Sequence, residues 1–496
     1  MPGALDPRLP VLVGTGQLSN RVDRGEPALE PADLMAESLR RAEADSGGTG
    51  LLAKADSVRV INELSWRYRN APALVAERVG ASPRQTVYSV MGGNYVQSMV
   101  NRSALDIANG DADVVLLAGG EAWRTRSAAR SADTDLGWTA QDDDVDEPET
   151  FGEDRPMVSP EEIARGVVMP VQVYPMFEIA LRASLRLSVD EHRDRIAGLW
   201  SRFSEVAAAN PHAWIQQAYS PDEIATPAPD NRMVGFPYTK RMNSNNMVEQ
   251  GAGLILCSVA AAEAAGVPRD RWVFPLAGTD AHDTDVVSTR GDLHSSPAIR
   301  CAGRAVLELA GVGVDDLAHV DLYSCFPSAV QIAAAELGLG LDRDLTVTGG
   351  LSFAGGPWNN YVMHGIATMA GIVRDDPGSI GLCTANGGFI TKHAFGLYST
   401  EPPADGFRWR DVQDEVDAFP TRTVVAEHDG PVTVESYTVM HGRDGTPETG
   451  IATGITDDGA RAWATTSDAD LMGAMVAEEW VGRRATVTAD GALHAD

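Results

Sequence analysis

The sequence predicts an α/β protein: two successive halves of strands with covering helices, an inserted region between them, and a small strand-rich unit at the end. Three observations predict it. From residue 8 to 122 short β-branched runs alternate with amphipathic stretches of helical period, the pattern of parallel strands with helices laid over them. That rhythm stops across residues 124–236 and resumes from 237 to 402. Beyond Pro402 and Pro403 short runs rich in Val, Thr and Ile take over, which is the pattern of a small barrel.

The elements follow in order. In the first half strands are expected at 11–15, 57–61, 86–90 and 114–118, with helices at 32–44, 72–79 and 96–108. Gly119 and Gly120 end the last of these strands where a backbone must come close to something. The inserted region opens with an acidic run, 142–154, read as a solvated loop, and continues with helical patterns around 177–186 and 190–208. The second half offers strands at 253–259, 272–277, 319–323 and 380–384, and helices at 297–310, 328–337 and 361–372. Two α/β halves in succession suggest an internal duplication. After residue 403, runs at 432–439, 449–454, 461–465 and 484–487 surround one helical stretch, 468–479. The expected division is therefore 1–123 with 237–271, an inserted loop region at 124–236, a second half at 272–402, and a small β-barrel domain at 403–496.

Composition narrows the function classes. A chain of 496 residues can bury several cores without covalent staples. A formal charge of −30 excludes sequence-independent nucleic-acid binding, which needs clustered Lys and Arg. The 4 cysteines, Cys257, Cys301, Cys325 and Cys383, have no metal-type spacing and read as reduced thiols. The first eight residues lack the features of a secretory signal, and no apolar run reaches the roughly 20 residues of a membrane helix, so a cytoplasmic location is expected. Phosphate-binding loops of the Walker type, His-Glu-x-x-His and the Gly-x-Ser-x-Gly elbow are absent.

Five segments carry a resemblance. They are Met91-Gly-Gly-Asn-Tyr95 with Ile107-Ala-Asn-Gly-Asp-Ala-Asp113 and Val114-Val-Leu-Leu-Ala-Gly-Gly-Glu121; Pro237-Tyr-Thr-Lys-Arg-Met-Asn-Ser-Asn-Asn246; Val320-Asp-Leu-Tyr-Ser-Cys-Phe-Pro327; Thr348-Gly-Gly-Leu-Ser-Phe-Ala-Gly-Gly-Pro357; and Gly381-Leu-Cys-Thr-Ala-Asn-Gly-Gly388. In this order they resemble the thiolase superfamily, nearest to its sterol-carrier-protein-type members, and the appended unit resembles the extra domain of thiolase-like protein type 1. The resemblance implies the thiolase fold, two duplicated halves forming a layered α-β-α-β-α core, with an OB-like barrel appended.

For the site, the resemblance implies that the family's nucleophilic cysteine, which stands at a helix start where the dipole favours a thiolate, is replaced at Gly92 or Gly93. Its activating histidine is replaced at Gly356, and Tyr323 stands where the family has Asn or His. Cys383 survives at the position of the family's second cysteine, and Ala385 matches its oxyanion-hole glycine. An acyl-cysteine mechanism is excluded at Gly92 or Gly93, and the candidates left are Cys383, Tyr323 and His393. Each has a bland alternative: a glycine turn for Gly92 and Gly93, a buried inert thiol for Cys383, a strand-capping phenol for Tyr323. His364 lies on a helical stretch and reads as structural. The implied ligand is CoA or an acyl-CoA, with degenerate or altered acyltransferase chemistry. A retro-aldol C–C lyase using Tyr323, paralleling thiolase-fold steroid side-chain lyases, and a noncatalytic scaffold remain as alternatives. Family members are commonly dimers, so a monomer or a homodimer is expected.

Overall fold

The computed structural model describes residues 5–495. The first half supplies β1 (Pro10–Ser19), β2 (Ser57–Val60), β3 (Gln85–Ser89) and β4 (Val114–Ala122), and the excursion adds β5 (Glu149–Phe151). Two short strands, β6 (Met233–Gly235) and β7 (Tyr238–Thr239), lead to β8 (Glu249–Ser258), which returns to the first sheet. Its order is β1-β8-β4-β2-β3-β5. The second half contributes β9 (Phe274–His282), β10 (Leu317–Asp321), β11 (Ile380–Gly387), β12 (Lys392–Ser399) and β13 (Arg408–Asp411), ordered β10-β11-β12-β9-β13.

The duplication is visible in strand directions. In the first sheet β1 runs antiparallel to β8, β8 antiparallel to β4, and β4 parallel to β2. In the second, β9, β12, β11 and β10 repeat that sequence of relations in the same order. Each half also supplies one helix, Tyr95–Asn109 or Tyr361–Asp375, that lies between the sheets and touches both. The helix Pro31–Ser46 covers the outside of the first sheet and Pro297–Ala310 that of the second, giving the expected α-β-α-β-α layers.

A helix buried between two sheets has no solvent face, and its polar side chains must find partners inside. In Tyr95–Asn109 the Ser98 hydroxyl donates to Asp280 of β9, and Asn101 Nδ2 donates to the same carboxylate at 3.0 Å. Gln97 Oε1 accepts from the Tyr398 hydroxyl of β12 at 2.8 Å. The close approach depends on the paired residues Gly278 and Gly396: a Cβ on the first would lie 2.2 Å from Asn101 Oδ1, and one on the second 2.3 Å from Gln97 Nε2. On the partner helix, His364 Nδ1 lies 2.9 Å from Gln17 Oε1 of β1, and burial, with a contribution from His212, pulls the imidazole down to about 3.

The excursion is largely helical, with Pro170–Leu185 and Val189–Ala209 as its main elements. Its acidic run is not all loop, because Glu149–Phe151 pairs in parallel with β3 and covers that edge of the sheet. The second core sheet also extends past residue 403, since β13 pairs with β9 and Trp409 Nε1 donates to Asp280 at 2.6 Å. β12 went unread in the sequence because Lys392 and His393 open it; both are buried. No helix among the described residues is long and apolar enough to cross a membrane.

The C-terminal unit is a curled sheet of β14 (Val424–Val425), β15 (Gly430–His441), β16 (Pro447–Ile455), β17 (Arg461–Thr466), β18 (Arg484–Val487) and β19 (Leu493–Ala495), ordered β14-β17-β16-β15-β18-β19. A bond from Thr465 N to Gly491 O, 2.9 Å, brings β17 back to the chain entering β19, so the sheet curls on itself. The excursion lends this unit Ile179 and Phe236 for its core, and β6 for the end of β15.

Arg461 joins the unit to the body. It is 0% exposed, forms a two-pronged pair with Glu435 at 2.6 and 2.7 Å, and turns Nη1 to the carbonyls of Val287, Ser288 and Arg290 at 2.8–3.1 Å. Removing one partner of such a buried pair strands the other. Arg461→Leu is therefore expected to lower stability by about 3–5 kcal/mol, read as a shift in the denaturant midpoint; a change within error would show that the pair is dispensable. The His364 imidazole gives a pH signature. Its folded pKa of about 3 lies below the ordinary 6.5, so its contribution to stability is complete above pH 6.5 and is lost as pH falls toward 3. Thermal melts of His364→Gln should decline less steeply than wild type across that window, and identical slopes would contradict the assignment.

Candidate active site

The site implied by the resemblance is built where the Tyr95–Asn109 helix begins. The chain turns through Gly92 and Gly93, and Tyr95 N donates to Gly92 O at 3.2 Å. A Cβ on Gly93 would lie 2.5 Å from the Asn386 carbonyl oxygen and 3.0 Å from the Tyr323 hydroxyl. One on Gly92 would meet Asn94 Oδ1 at 2.5 Å and the Tyr95 ring at 3.0 Å. The space of a nucleophile at residue 93 is thus occupied by other groups, and Tyr323 is one of them.

Tyr323 follows β10. Its N–H donates to Thr384 Oγ1 at 2.9 Å, and its ring meets Tyr361 edge-on with centroids 5.5 Å apart. Burial, reinforced by Cys325 and Tyr361, pushes its phenol well above the usual value, so it stays a protonated hydrogen-bond donor. Tyr323, Ala385, Asn386 and His393 border an enclosed cavity of only ≈10 Å³. That is about the room for one water.

His393, near the start of β12, is 2% exposed, with Nε2 3.6 Å from Asp283 Oδ2 and without a hydrogen-bond partner. Burial works to raise the Asp283 acid, but Arg290, His393 and Ser296 together hold it below the usual carboxylate range. His393 therefore sits between a carboxylate and the small cavity that Tyr323 borders.

Cys383 lies elsewhere. β11 continues past it to Gly387, so it lies within the strand and the buried thiol is what the structure holds. Cys383 pairs with Asp321 and Gly396 inside the sheet, is 1% exposed, and burial pushes its thiol well above the usual range. Its place beside Tyr323 is taken by Ala385 and Asn386. Gly356 donates its N–H to Asn245 O at 2.9 Å, and a Cβ there would lie 2.8 Å from Asn246 Oδ1. It does not border the Tyr323 cavity.

Several neighbours were not singled out from the sequence. Asn386 Nδ2 donates to the Tyr174 hydroxyl at 3.2 Å and approaches Cys325 Sγ at 3.9 Å. Cys325 is buried and its thiol is pushed up to about 12, so it is no nucleophile as it stands. Asn94 Oδ1 and Asn386 Oδ1 are buried without partners. Only the dipeptide Asn386-Gly387 after a β-run hinted at them in the sequence. Among the described residues no group of three or more His, Cys, Asp or Glu could hold a metal ion. The arrangement offers a phenol donor, an unpartnered imidazole nitrogen and a helix start, and no nucleophile.

The comparisons with known proteins agree with this fold. Residues 411–492 match the family described as the thiolase-like protein type 1 additional C-terminal domain. Among curated proteins none matches. The chain is similar to a monomeric SCP2-thiolase-like protein type 1 from Mycobacterium smegmatis, with 34% identity over 99% of this chain and 100% of that one, and a TM-score of 0.85. An Ltp2-ChsH2(DUF35) aldolase matches at 17% identity, 80% of this chain, 100% of that chain and a TM-score of 0.60. An acetyl-CoA acetyltransferase from Syntrophomonas wolfei matches at 15%, 80%, 100% and 0.54. The last two establish the fold alone. With its identity spread along the full length and its additional domain in place, the chain belongs to the SCP2-thiolase-like protein type 1 family.

Proposed function

We propose that this protein is an acyl-CoA-binding member of the thiolase fold that has given up acyl-cysteine transfer. The observation that carries the reading is the filled space at Gly93, where the Asn386 carbonyl and the Tyr323 hydroxyl stand where a nucleophile's side chain would project. The CoA part rests on the fold, which is shared with proteins named for CoA thioesters. At ≈10 Å³ the Tyr323 cavity is too small for a thioester, so binding requires the Tyr323 and Asn386 side to move outward.

A second reading is favoured by His393, which has Asp283 3.6 Å from its Nε2 and lines the same small cavity as the protonated phenol of Tyr323. In it, His393 takes the β-hydroxyl proton of a β-hydroxyacyl-CoA, that O–H electron pair forms the new carbonyl, and the Cα–Cβ bond breaks. The bond's electrons pass to the thioester oxygen, where the Tyr323 hydroxyl donates a hydrogen bond.

Calorimetry with CoA and acyl-CoAs tests the binding claim, and no heat with either ends it. The wild type is expected to show no thiolysis of acetoacetyl-CoA, and Gly93→Cys should not restore it, because the added side chain meets Asn386 and Tyr323; thiolysis by either protein would refute the reading. If a β-hydroxyacyl-CoA is cleaved, Tyr323→Phe should slow cleavage by about 100-fold or more, and an unchanged rate removes the lyase reading. The covered β3 edge also favours a monomer. Light scattering should return a mass near 52.7 kDa, and twice that value would count against it.

A further inference from the structure

The turn that joins β11 to β12 borders the Tyr323 cavity, and it is strained. Ile390, in this turn, has φ +55°, is buried, and lines the cavity together with Asn386 and His393 on either side of it in sequence. A side chain branched at Cβ is ill suited to the left-handed region, and such a residue persists only where its surroundings force it. Asp133 and Arg186 share a positive φ, but they close helices in the usual way. Ile390 closes none.

The force comes from outside the turn. Ile390 O accepts from Arg290 Nη1 at 2.6 Å, Gly388 O from the Tyr174 hydroxyl at 3.3 Å, and Thr391 O from Asp283 N at 2.9 Å. Of these donors only Arg290 is charged, and it grips the strained residue itself. Arg290 is buried; its Nη2 donates to Ser295 O at 2.6 Å, and its Nη1 also lies 3.4 Å from Asp283 Oδ2, the oxygen that is 3.6 Å from His393 Nε2. One guanidinium therefore fixes two residues of the cavity wall, Ile390 directly and His393 through Asp283.

Arg290 is held in turn by the C-terminal unit. Its carbonyl accepts from Arg461 Nη1 at 2.8 Å, Thr289 O accepts from Arg422 N at 3.0 Å, and Ser288 Oγ accepts from Trp463 Nε1 at 2.8 Å. Arg290 and Asp283 also line a cleft of ≈800 Å³, which Arg422, Thr423 and Gly459 line as well. Their partners Ile390 and His393 line the Tyr323 cavity, so cleft and cavity are one layer of side chains apart.

We propose that Arg290 is a latch: with the C-terminal unit behind it, it holds the turn 387–391 in a strained, closed form, and its release lets Ile390 relax and the cavity widen toward the cleft. A cavity of ≈10 Å³ has to widen before it receives a substrate, and strain stored in the closed form lowers the cost of opening. Arginine suits the task because its planar fork reaches Ser295, Ile390 and Asp283 at once, which a single ammonium cannot do. The latch rests on the reading that this cavity receives a ligand. Its test needs none, so failure of the acyl-CoA reading and failure of the latch are told apart.

Two measurements on the full chain test it. Denaturant midpoints compare Ile390→Ala with Ile390→Gly: in relaxed backbone alanine is the more stable of the two, whereas at φ +55° glycine should be. Hydrogen exchange read by mass spectrometry follows peptides covering 386–393 and, as a reference, 10–19. Arg290→Lys should speed exchange at 386–393 about ten-fold, and Trp463→Phe about three-fold, with 10–19 unchanged in both. Trp463→Phe keeps an aromatic ring in place and acts from the other side of the latch, so it carries the test if Arg290→Lys does not fold. An alanine variant more stable than the glycine variant removes the strain and overturns the proposal. Wild-type exchange at 386–393 in the folded variants, or an equal rise at 10–19, overturns it as well.

Discussion

The contact between the Tyr95–Asn109 helix and strands β9 and β12 governs the rest of the molecule. This helix is enclosed by two sheets, so its polar side chains cannot turn to water, and they lock to Asp280 and Tyr398 instead. Gly278 and Gly396 set the spacing, because any side chain there would collide with Asn101 or Gln97. With the helix held from both sides, its first turn has one position relative to β10 and β11, and the meeting of Gly93, Tyr323 and Asn386 follows. The site is a consequence of how two sheets share a helix layer.

The additions to this core are tied to it by buried charge. Ser288 takes part in three links at once: its N–H donates to Glu162 of the excursion, its hydroxyl accepts from Trp463 of the C-terminal unit, and its carbonyl accepts from Arg461. Arg182 of the excursion reaches Glu479 at 2.7 Å and the Tyr437 hydroxyl at 3.1 Å. Such contacts add little net stability over an apolar packing, but they are strongly directional. They fix the orientation of the curled sheet on the body. They also hold the 287–290 segment, whose Arg290 faces Asp283 and, through it, His393.

Around Gly92 and Gly93 the neighbouring side chains are hydrogen-bonding groups and sealed thiols. Cys325 and Cys383 are both buried where a thiolate is disfavoured, and Tyr323 is held as a donor. The buried oxygens of Asn94 and Asn386 lack partners at the same place.

Much of this was legible in the chain. Helix and strand periods gave the two halves, Gly110 and Gly338 close helices at the expected places, and the ordered motifs put Gly92 or Gly93 and Tyr323 in one site. The β12 strand was hidden because Lys392 and His393 are buried by partners distant in sequence, and β5 because an acidic run seldom signals an edge strand. Whether Cys383 is exposed or buried was not legible, because a glycine-rich stretch does not say where a strand stops, and β11 continues to Gly387. The sequence by itself determined the layers and the duplication, because these depend on local period, and it fixed that no cysteine stands at Gly92 or Gly93. Only the tertiary structure decided which groups stand against Gly93, which thiols are sealed and where the appended unit sits. Those outcomes depend on distances between residues that meet only when both sheets close on their shared helices.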